Sequence, residues 1–245
     1  MPEAEEPPLE ILFRDADYIA INKPAGLLVH RSMIDRHETR FAMQLLRDQI
    51  GQHVFPVHRL DKPTSGVLLF ALNRDAARQM GEQFTEGGVE KRYLAIVRGF
   101  TPEQDCIDYP LKEKLDKMTD AMADKNKAPQ AAVTSYRRLA MAELPFPVGP
   151  YASCRYSLLE LRPQTGRKHQ LRRHMKHIFH PIVGDTTYGD GKHNAFFRQQ
   201  FHLHRLMLAA TGLVFQHPIS GESIELTASL DTEFQQAFSA LGWDT

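Results

Sequence analysis

The stretch HRLDKPTSG, His58 to Gly66, places an acid, Asp61, two residues after a His-Arg pair and just before a Pro-Thr-Ser-Gly segment and the apolar run VLLFAL. A tight turn at the end of a buried strand is a rigid mount for a reactive group. In an extended segment Arg59 would point the same way as Asp61. A carboxylate held there could act as a base or a nucleophile; the local sequence fits equally an acid that only caps its own turn. A buried carboxylate stays ionised only if it is paired. Arginine suits that task because its guanidinium can fork onto both oxygens. The stretch GRKHQLRRH offers Arg167, Arg172 and Arg173, and spacing alone does not choose among them. Tyr93 lies in the alternating segment KRYLAIV. Such a tyrosine is commonly half-buried packing, but in a site that receives a base its ring can stack and its hydroxyl can relay a proton.

Four histidines, His169, His174, His177 and His180, fall close together. His174 and His177 have a spacing that could share an ion, yet no HExxH occurs and no carboxylate lies within the cluster. Phosphate contact by partly protonated imidazoles is the preferred reading, and no metal is expected. GxxxxGK[ST], GxGxxG and GxSxG are all missing, so neither a nucleotide cofactor nor a serine nucleophile is anchored by motif. GDTTYGDG, Gly184 to Gly191, reads as a structured loop beside the site. Cys106 and Cys154 are far apart and read as reduced, packed thiols.

The 30 Lys and Arg balance 30 Asp and Glu, but phosphate is bound by local patches rather than by net charge. Arg162 to His180 carries several cations and no acid, while the tail MPEAEEPP is acidic. That tail, residues 1–8, reads as disordered and lacks the pattern of a signal peptide. No apolar run is long enough to cross a bilayer, so a cytoplasmic protein without a membrane partner is expected.

The elements that must position these residues are a mixture of strands and helices without regular βα alternation, which favours an α+β fold. Strands are predicted near Glu10–Arg14, Tyr18–Asn22 and Leu27–His30, then at VLLFAL, KRYLAIVRG, AAVTSYRRLA and CRYSLLELRP. Helices are predicted at ETRFAMQLLRDQIG, closed by Gly51, and at NRDAARQMGEQFTEGG, capped by Asn73. RKHQLRRHMKHI should be helical with Leu171, Met175 and Ile178 inward and cations around the rest. NAFFRQQFHLHRL could be loop and helix. A hairpin across Pro218–Gly221 and a closing helix capped by Asp231 complete the chain. The polar stretch at about 112–130 reads as an insert within a single domain spanning 9–245.

Taken in order, HRLDKPTSGVLLFAL, EKRYLAIVRG, LELRPQTGRKHQLRRHM, HPIVGDTTYG and RLMLAATGLVFQHPISGE resemble the successive motifs of the RluA-type pseudouridine synthases. Many relatives carry Leu-His-Ala in the last block, where this chain has Ala209 in place of the histidine. LLVHRSMIDR and the insert look most like the TruC branch, which modifies uridine 65 of certain tRNAs. No S4-type RNA-binding domain is expected, since strands begin near Leu9. The resemblance implies a pseudouridine synthase fold, a mixed and largely antiparallel sheet flanked by helices with the active-site cleft across it. It implies an isomerase that needs no cofactor, acts on tRNA as a monomer, and flips its target nucleotide out of the stack. Asp61 would be the catalytic carboxylate, paired by Arg172, with Tyr93 stacked on the uracil and helping to remove the C5 proton. Leu208 would close the pocket under Tyr93. His58 and Arg59 would meet the substrate beside Asp61, Arg59 filling the gap left by the base or touching its phosphate. Lys91, Arg167, Lys168 and Arg173 would hold backbone phosphates.

Overall fold

A computed structural model describes residues 7–30, 39–113 and 128–243. Residues 1–6 of the expected tail and 114–127 of the expected insert lie outside the described residues. The chain opens with β1 (Glu10–Arg14) and β2 (Tyr18–Lys23), an antiparallel pair. Leu9 is already tied down, its N–H and carbonyl both bonded to the Gln49 side chain. Helix α1 (Ala42–Ile50) follows, then the two-residue β3 (Phe55–Pro56), β4 (Ser65–Ala71), α2 (Arg74–Glu86) and β5 (Glu90–Arg98). Next come β6 (Gln104–Asp108), β7 (Val133–Leu144) and β8 (Cys154–Pro163). Helices α3 (Gln170–His177) and α4 (Gly191–Phe201), the hairpin β9 (Leu208–Gln216) and β10 (Ser223–Thr227), and α5 (Thr232–Ala240) end it.

The strands form one mixed sheet in the order β1-β2-β4-β9-β5-β8-β7-β6, with β10 on β9 and β3 on β4. The α+β reading is therefore correct. Every pairing among the described strands is antiparallel except β4 on β9, which meet only at Ser65↔Ala209 and Gly66↔Ala210. That junction explains the glycine of the Thr-Ser-Gly segment. Gly66 has φ +110, and a Cβ there would run into the Ala210 carbonyl. Any side chain would thus strain the backbone and force the two strands apart.

All seven residues of β4 are buried, so alternate side chains feed opposite faces. Val67, Leu69 and Ala71 pack with Ala76 and Met80 of α2, whereas Leu68 and Phe70 pack with Ala42 and Leu46 of α1. Asn73 caps α2 by accepting from the Ala76 N–H, and Gly51 closes α1 in the left-handed region. Asp231 caps α5 as predicted.

Four expectations need correction. Leu27–His30 forms no strand; only Leu28 makes an isolated bridge, to Phe41. Strand β6 was not expected, because QDCID carries little apolar pattern and is recruited as the partner of β7. Cys106 on β6 is exposed rather than packed; Cys154 is buried, and both are free. Helix α3 is not ringed by solvated cations: Arg172 and His174 are buried with Leu171 and Met175.

Candidate active site

The loop carrying Asp61 crosses a break in the sheet edge. One edge of β4 is paired along its length by β2, while the other is shared between β9 at Ser65–Gly66 and β3 at Phe70–Ala71. Between those two contacts the Leu69 N–H is taken by His58 Nε2 at 3.0 Å. The His58 ring stacks on Phe84 with centroids 4.8 Å apart. Burial, and then the charge of Lys91, push its pKa down to about 3, so the imidazole stays a neutral acceptor. Beyond it, the Asp61–Thr64 turn closes from the Thr64 N–H to the Asp61 backbone carbonyl at 3.0 Å. The turn is closed by main chain, which leaves the carboxylate to face elsewhere. This decides against an acid that merely caps its turn.

The loop is stitched from below by Lys23, which sequence reasoning passed over as part of the turn signal NKPAG. Lys23 is fully buried, and its ammonium donates to the carbonyls of Pro24 and Leu27, each at 2.8 Å, and of Lys62 at 3.2 Å. Burial, and then the charge of Arg205, lower its pKa to about 7, against the pull of Asp61. Arg205, also unforeseen, bonds the Ser65 hydroxyl at 2.9 Å and the Leu208 carbonyl at 3.1 Å and pairs with Asp231. It thereby ties the starts of β4 and β9 to the cap of α5.

Among the three candidate arginines the structure selects Arg172. Its Nη1 donates to Asp61 Oδ2 at 3.0 Å, across 111 residues of chain. The guanidinium fork, however, does not close on Asp61. It closes on Asp185, with Nε to Oδ2 at 2.7 Å and Nη2 to Oδ1 at 2.9 Å. Asp185 lies in the GDTTYG loop and its side chain is 1% exposed. Its Oδ1 also accepts the N–H groups of Thr187 and Tyr188. Burial alone would raise its pKa, but Arg172 and these N–H groups hold it below the usual carboxylate range. Arg172 feels the same contest: burial disfavours its charge, and the two carboxylates prevail. The sequence signal was present, an acid in a glycine-punctuated loop, but nothing in its spacing pointed to Arg172.

Asp61, Arg172 and Tyr93 meet in a cleft of about 620 Å³, whose walls also include Arg59, Lys91 and Leu208. Tyr93 pairs with Ala210 on β9, which sets Leu208, two residues earlier, on the same face of the sheet. Burial, and then the charge of Asp61, push the Tyr93 phenol well above its ordinary pKa. Burial lowers that of the Lys91 ammonium. Arg59 is exposed at the rim, and Lys168 lines the far wall. Arg167 also lines the cleft, and both it and Arg173 tie down neighbouring chain. Arg167 donates to the Ala131 carbonyl at 3.1 Å and Arg173 to the Lys112 carbonyl at 2.9 Å, the two chain segments that flank residues 114–127.

The histidine cluster separates. His174 is fully buried, with Nδ1 against the Thr134 hydroxyl and Nε2 against the Tyr109 carbonyl, both at 3.0 Å. Buried against the core, it is not placed to meet phosphate, contrary to the sequence reading. His177 stacks on Tyr109, centroids 3.6 Å apart, and His180 contacts the Arg98 carbonyl. Only His169 reaches the cleft. Its Nδ1 lies 3.1 Å from the Tyr188 hydroxyl and its Nε2 3.8 Å from Asp61 Oδ1.

Residues 17–177 match the RNA pseudouridylate synthase family. The chain is 55% identical over 236 residues to tRNA pseudouridine synthase C of Vibrio parahaemolyticus, covering 96% of each protein. It is 59% identical over 235 residues to tRNA pseudouridine synthase C of Haemophilus ducreyi, again covering 96% of each. The fold superimposes on human RNA pseudouridylate synthase domain containing 1 with a TM-score of 0.69 and 27% identity, over 96% of this chain and 94% of that one. Its domain containing 4 counterpart gives the same TM-score at 28% identity, over 95% and 93% of the two chains. By this family match and these identities, the chain belongs to the RluA-type RNA pseudouridylate synthase family and is an isomerase that makes pseudouridine.

Proposed function

We propose that the substrate is tRNA, with uridine 65 as the target, and that Asp61 is the catalytic carboxylate. The observation that carries the catalytic assignment is the asymmetric hold on Asp61: Oδ2 is bonded to Arg172, while the group stands at the floor of a cleft large enough for a nucleotide. The names of the relatives at 53–59% identity support the choice of tRNA. In the reaction the N1–C1′ bond of uridine breaks, the uracil turns, and C5 joins C1′. The C5 proton leaves and N1 gains one, so substrate and product have the same composition.

Each side chain takes a defined part. Arg172 keeps Asp61 ionised and fixes its orientation, and Asp185 in turn holds Arg172. Tyr93 stacks on the flipped uracil while Leu208 supports it from the same face. The high pKa of the Tyr93 phenol suits a donor or a relay better than a free base. Arg59 at the rim meets the gap left by the base or its phosphate, and Lys91 and Lys168 meet backbone phosphate. His58 is committed to the sheet edge and contributes a wall. Arg167 and Arg173 support the chain beside the cleft, with phosphate contact open to their remaining N–H groups. The enzyme works in the cytoplasm as a monomer built on a single domain from residue 9 onward. No helix among the described residues is long and apolar enough to cross a membrane.

The test is to incubate the purified protein with unmodified tRNA transcripts in chelator and map pseudouridine by carbodiimide adducts. Pseudouridine at position 65 is expected. Modification of ribosomal RNA with untouched tRNA would overturn the substrate assignment and leave the family chemistry intact.

A further inference from the structure

Resting on the reading of Asp61 as the catalytic carboxylate, we propose that His169 is a further catalytic residue, the base that receives the proton shed from C5. Four observations converge on it. First, His169 stands at the N-cap of α3 without making a capping bond there, in a position usually given to Ser, Thr, Asp or Asn. Second, its backbone is left-handed, φ 55 and ψ 29, a conformation that costs a non-glycine residue energy and persists where the surroundings enforce it. Third, the ring so placed is pinned on its Nδ1 side by the Tyr188 hydroxyl at 3.1 Å. Tyr188 is itself fixed, with its N–H on Asp185 and its ring 5.2 Å from the Arg172 guanidinium carbon. Fourth, the other nitrogen, Nε2, points into the cleft 3.8 Å from Asp61 Oδ1, the oxygen that Arg172 does not hold.

Reach follows from the chemistry. When the C5 proton departs, C5 is already bonded to C1′, the carbon whose glycosidic bond broke beside the Asp61 carboxylate. C5 therefore lies one C–C bond, ~1.5 Å, from an atom at the carboxylate, and its proton one bond further. A base within 4 Å of Asp61 Oδ1 is in range. The alternatives are weaker: Tyr93 is a reluctant base for the reason given above, and Arg172, held between two carboxylates, stays protonated and has no lone pair to offer. In the step, the C5–H electron pair becomes the C5=C6 double bond while the C6=N1 pair moves onto N1, which takes up a proton from solvent. The proton passes to Nε2, and the proton on Nδ1 can leave through the Tyr188 hydroxyl toward solvent. No oxidant, metal or co-substrate is needed for the balance.

The experiment compares the wild type with His169→Asn and Tyr188→Phe, using tRNA transcripts containing 5-deuterio- or 5-tritio-uridine under single-turnover conditions. Asparagine tolerates the left-handed backbone and can cap the helix, so a defect in that variant is not a folding defect; thermal melts and filter binding of tRNA confirm this. The expected result for His169→Asn is unchanged tRNA affinity, a fall of roughly 10²-fold in tritium release, and a primary isotope effect at C5 that the wild type lacks. Tyr188→Phe should give a smaller loss with the same isotope signature. An unimpaired His169→Asn, or an impaired one without an isotope effect at C5, overturns the proposal, since a positioning defect slows glycosidic cleavage instead. Absence of tritium release by the wild type would strike the tRNA assignment rather than His169.

Discussion

Two clusters in this molecule each bring two aspartates and a histidine together and behave in opposite ways. At the far end of the sheet Asp15, Asp17 and His217 bring their polar atoms within 4.8 Å of one another. There the side chains are spent on the backbone and on one another. Asp15 Oδ1 accepts the N–H groups of Asp17 and Tyr18, and Oδ2 faces His217 Nε2 at 3.1 Å. His217 Nδ1 accepts from Ile219 and Ser220, and Asp17 accepts from Asn73. Since Nδ1 is an acceptor, the proton sits on Nε2 and points at Asp15. The cluster is a knot that joins the β1–β2 turn to the β9–β10 turn. At the cleft, Asp61, Arg172, Asp185 and His169 are linked by contacts of 2.7 to 3.8 Å, but there the bonding is uneven. Asp185 absorbs the fork, Asp61 receives one N–H, and Oδ1 faces the opening. Charged residues become a site where a carboxylate oxygen is turned to a cavity wall rather than tied into the fold.

Mutations should separate the two clusters by the quantity they move. Asp61→Asn is expected to lower turnover by roughly 10⁴-fold or more with tRNA binding and melting temperature nearly unchanged, read by single-turnover kinetics and filter binding. Arg172→Lys should cost about 10²–10³-fold in turnover, because an ammonium cannot span both Asp185 and Asp61. Arg172→Ala should in addition destabilise the fold by about 3–5 kcal/mol in urea melts, through the uncompensated charge of buried Asp185. Lys91→Gln should weaken tRNA binding several-fold and reduce the slope of log affinity against log salt by about 1, leaving turnover at saturation intact. His217→Gln should leave both activity and tRNA affinity as they are and lower stability by about 1–2 kcal/mol. A loss of turnover there would dissolve the distinction between knot and site.

Acid and base should also act differently on the two buried charges that hold the cleft. The folded-state pKa of Asp185 lies below the ordinary carboxylate value. Its stabilisation is therefore complete above the unfolded pKa and is lost as pH falls through the folded one. Lys23 has the reverse profile for a cation. Its folded pKa of about 7 lies below the unfolded 10.5, so the unfolded chain binds more protons between those values and stability rises across that range. Urea midpoints from pH 6 to 10 should climb in the wild type and flatten in Lys23→Met.

Much of this arrangement was legible in the residues. The glycine and asparagine punctuation located most helices and strands, and the turn before VLLFAL located Asp61. Family resemblance, rather than spacing, singled out Arg172, since the pair closes across a separation that no local pattern encodes. The supporting shell was not legible. Asp185 and Lys23 sit in glycine-marked loops where a polar residue is ordinary, and only tertiary burial makes them exceptional. Helix α3 misled for the same reason: a buried arginine and a solvated one look alike in sequence, and what distinguishes Arg172 from Arg173 is an acid brought in from another loop.

The central claim is that Asp61, held by Arg172 and open on one oxygen, performs the isomerisation. The most direct measurement is tritium release from tRNA labelled at uridine C5, in chelator, with wild type and Asp61→Asn at equal occupancy of tRNA. Release by the wild type, and none by a variant that binds tRNA equally well, is the predicted result. Release by Asp61→Asn at a comparable rate would contradict the account and place the chemistry on another group in the cleft.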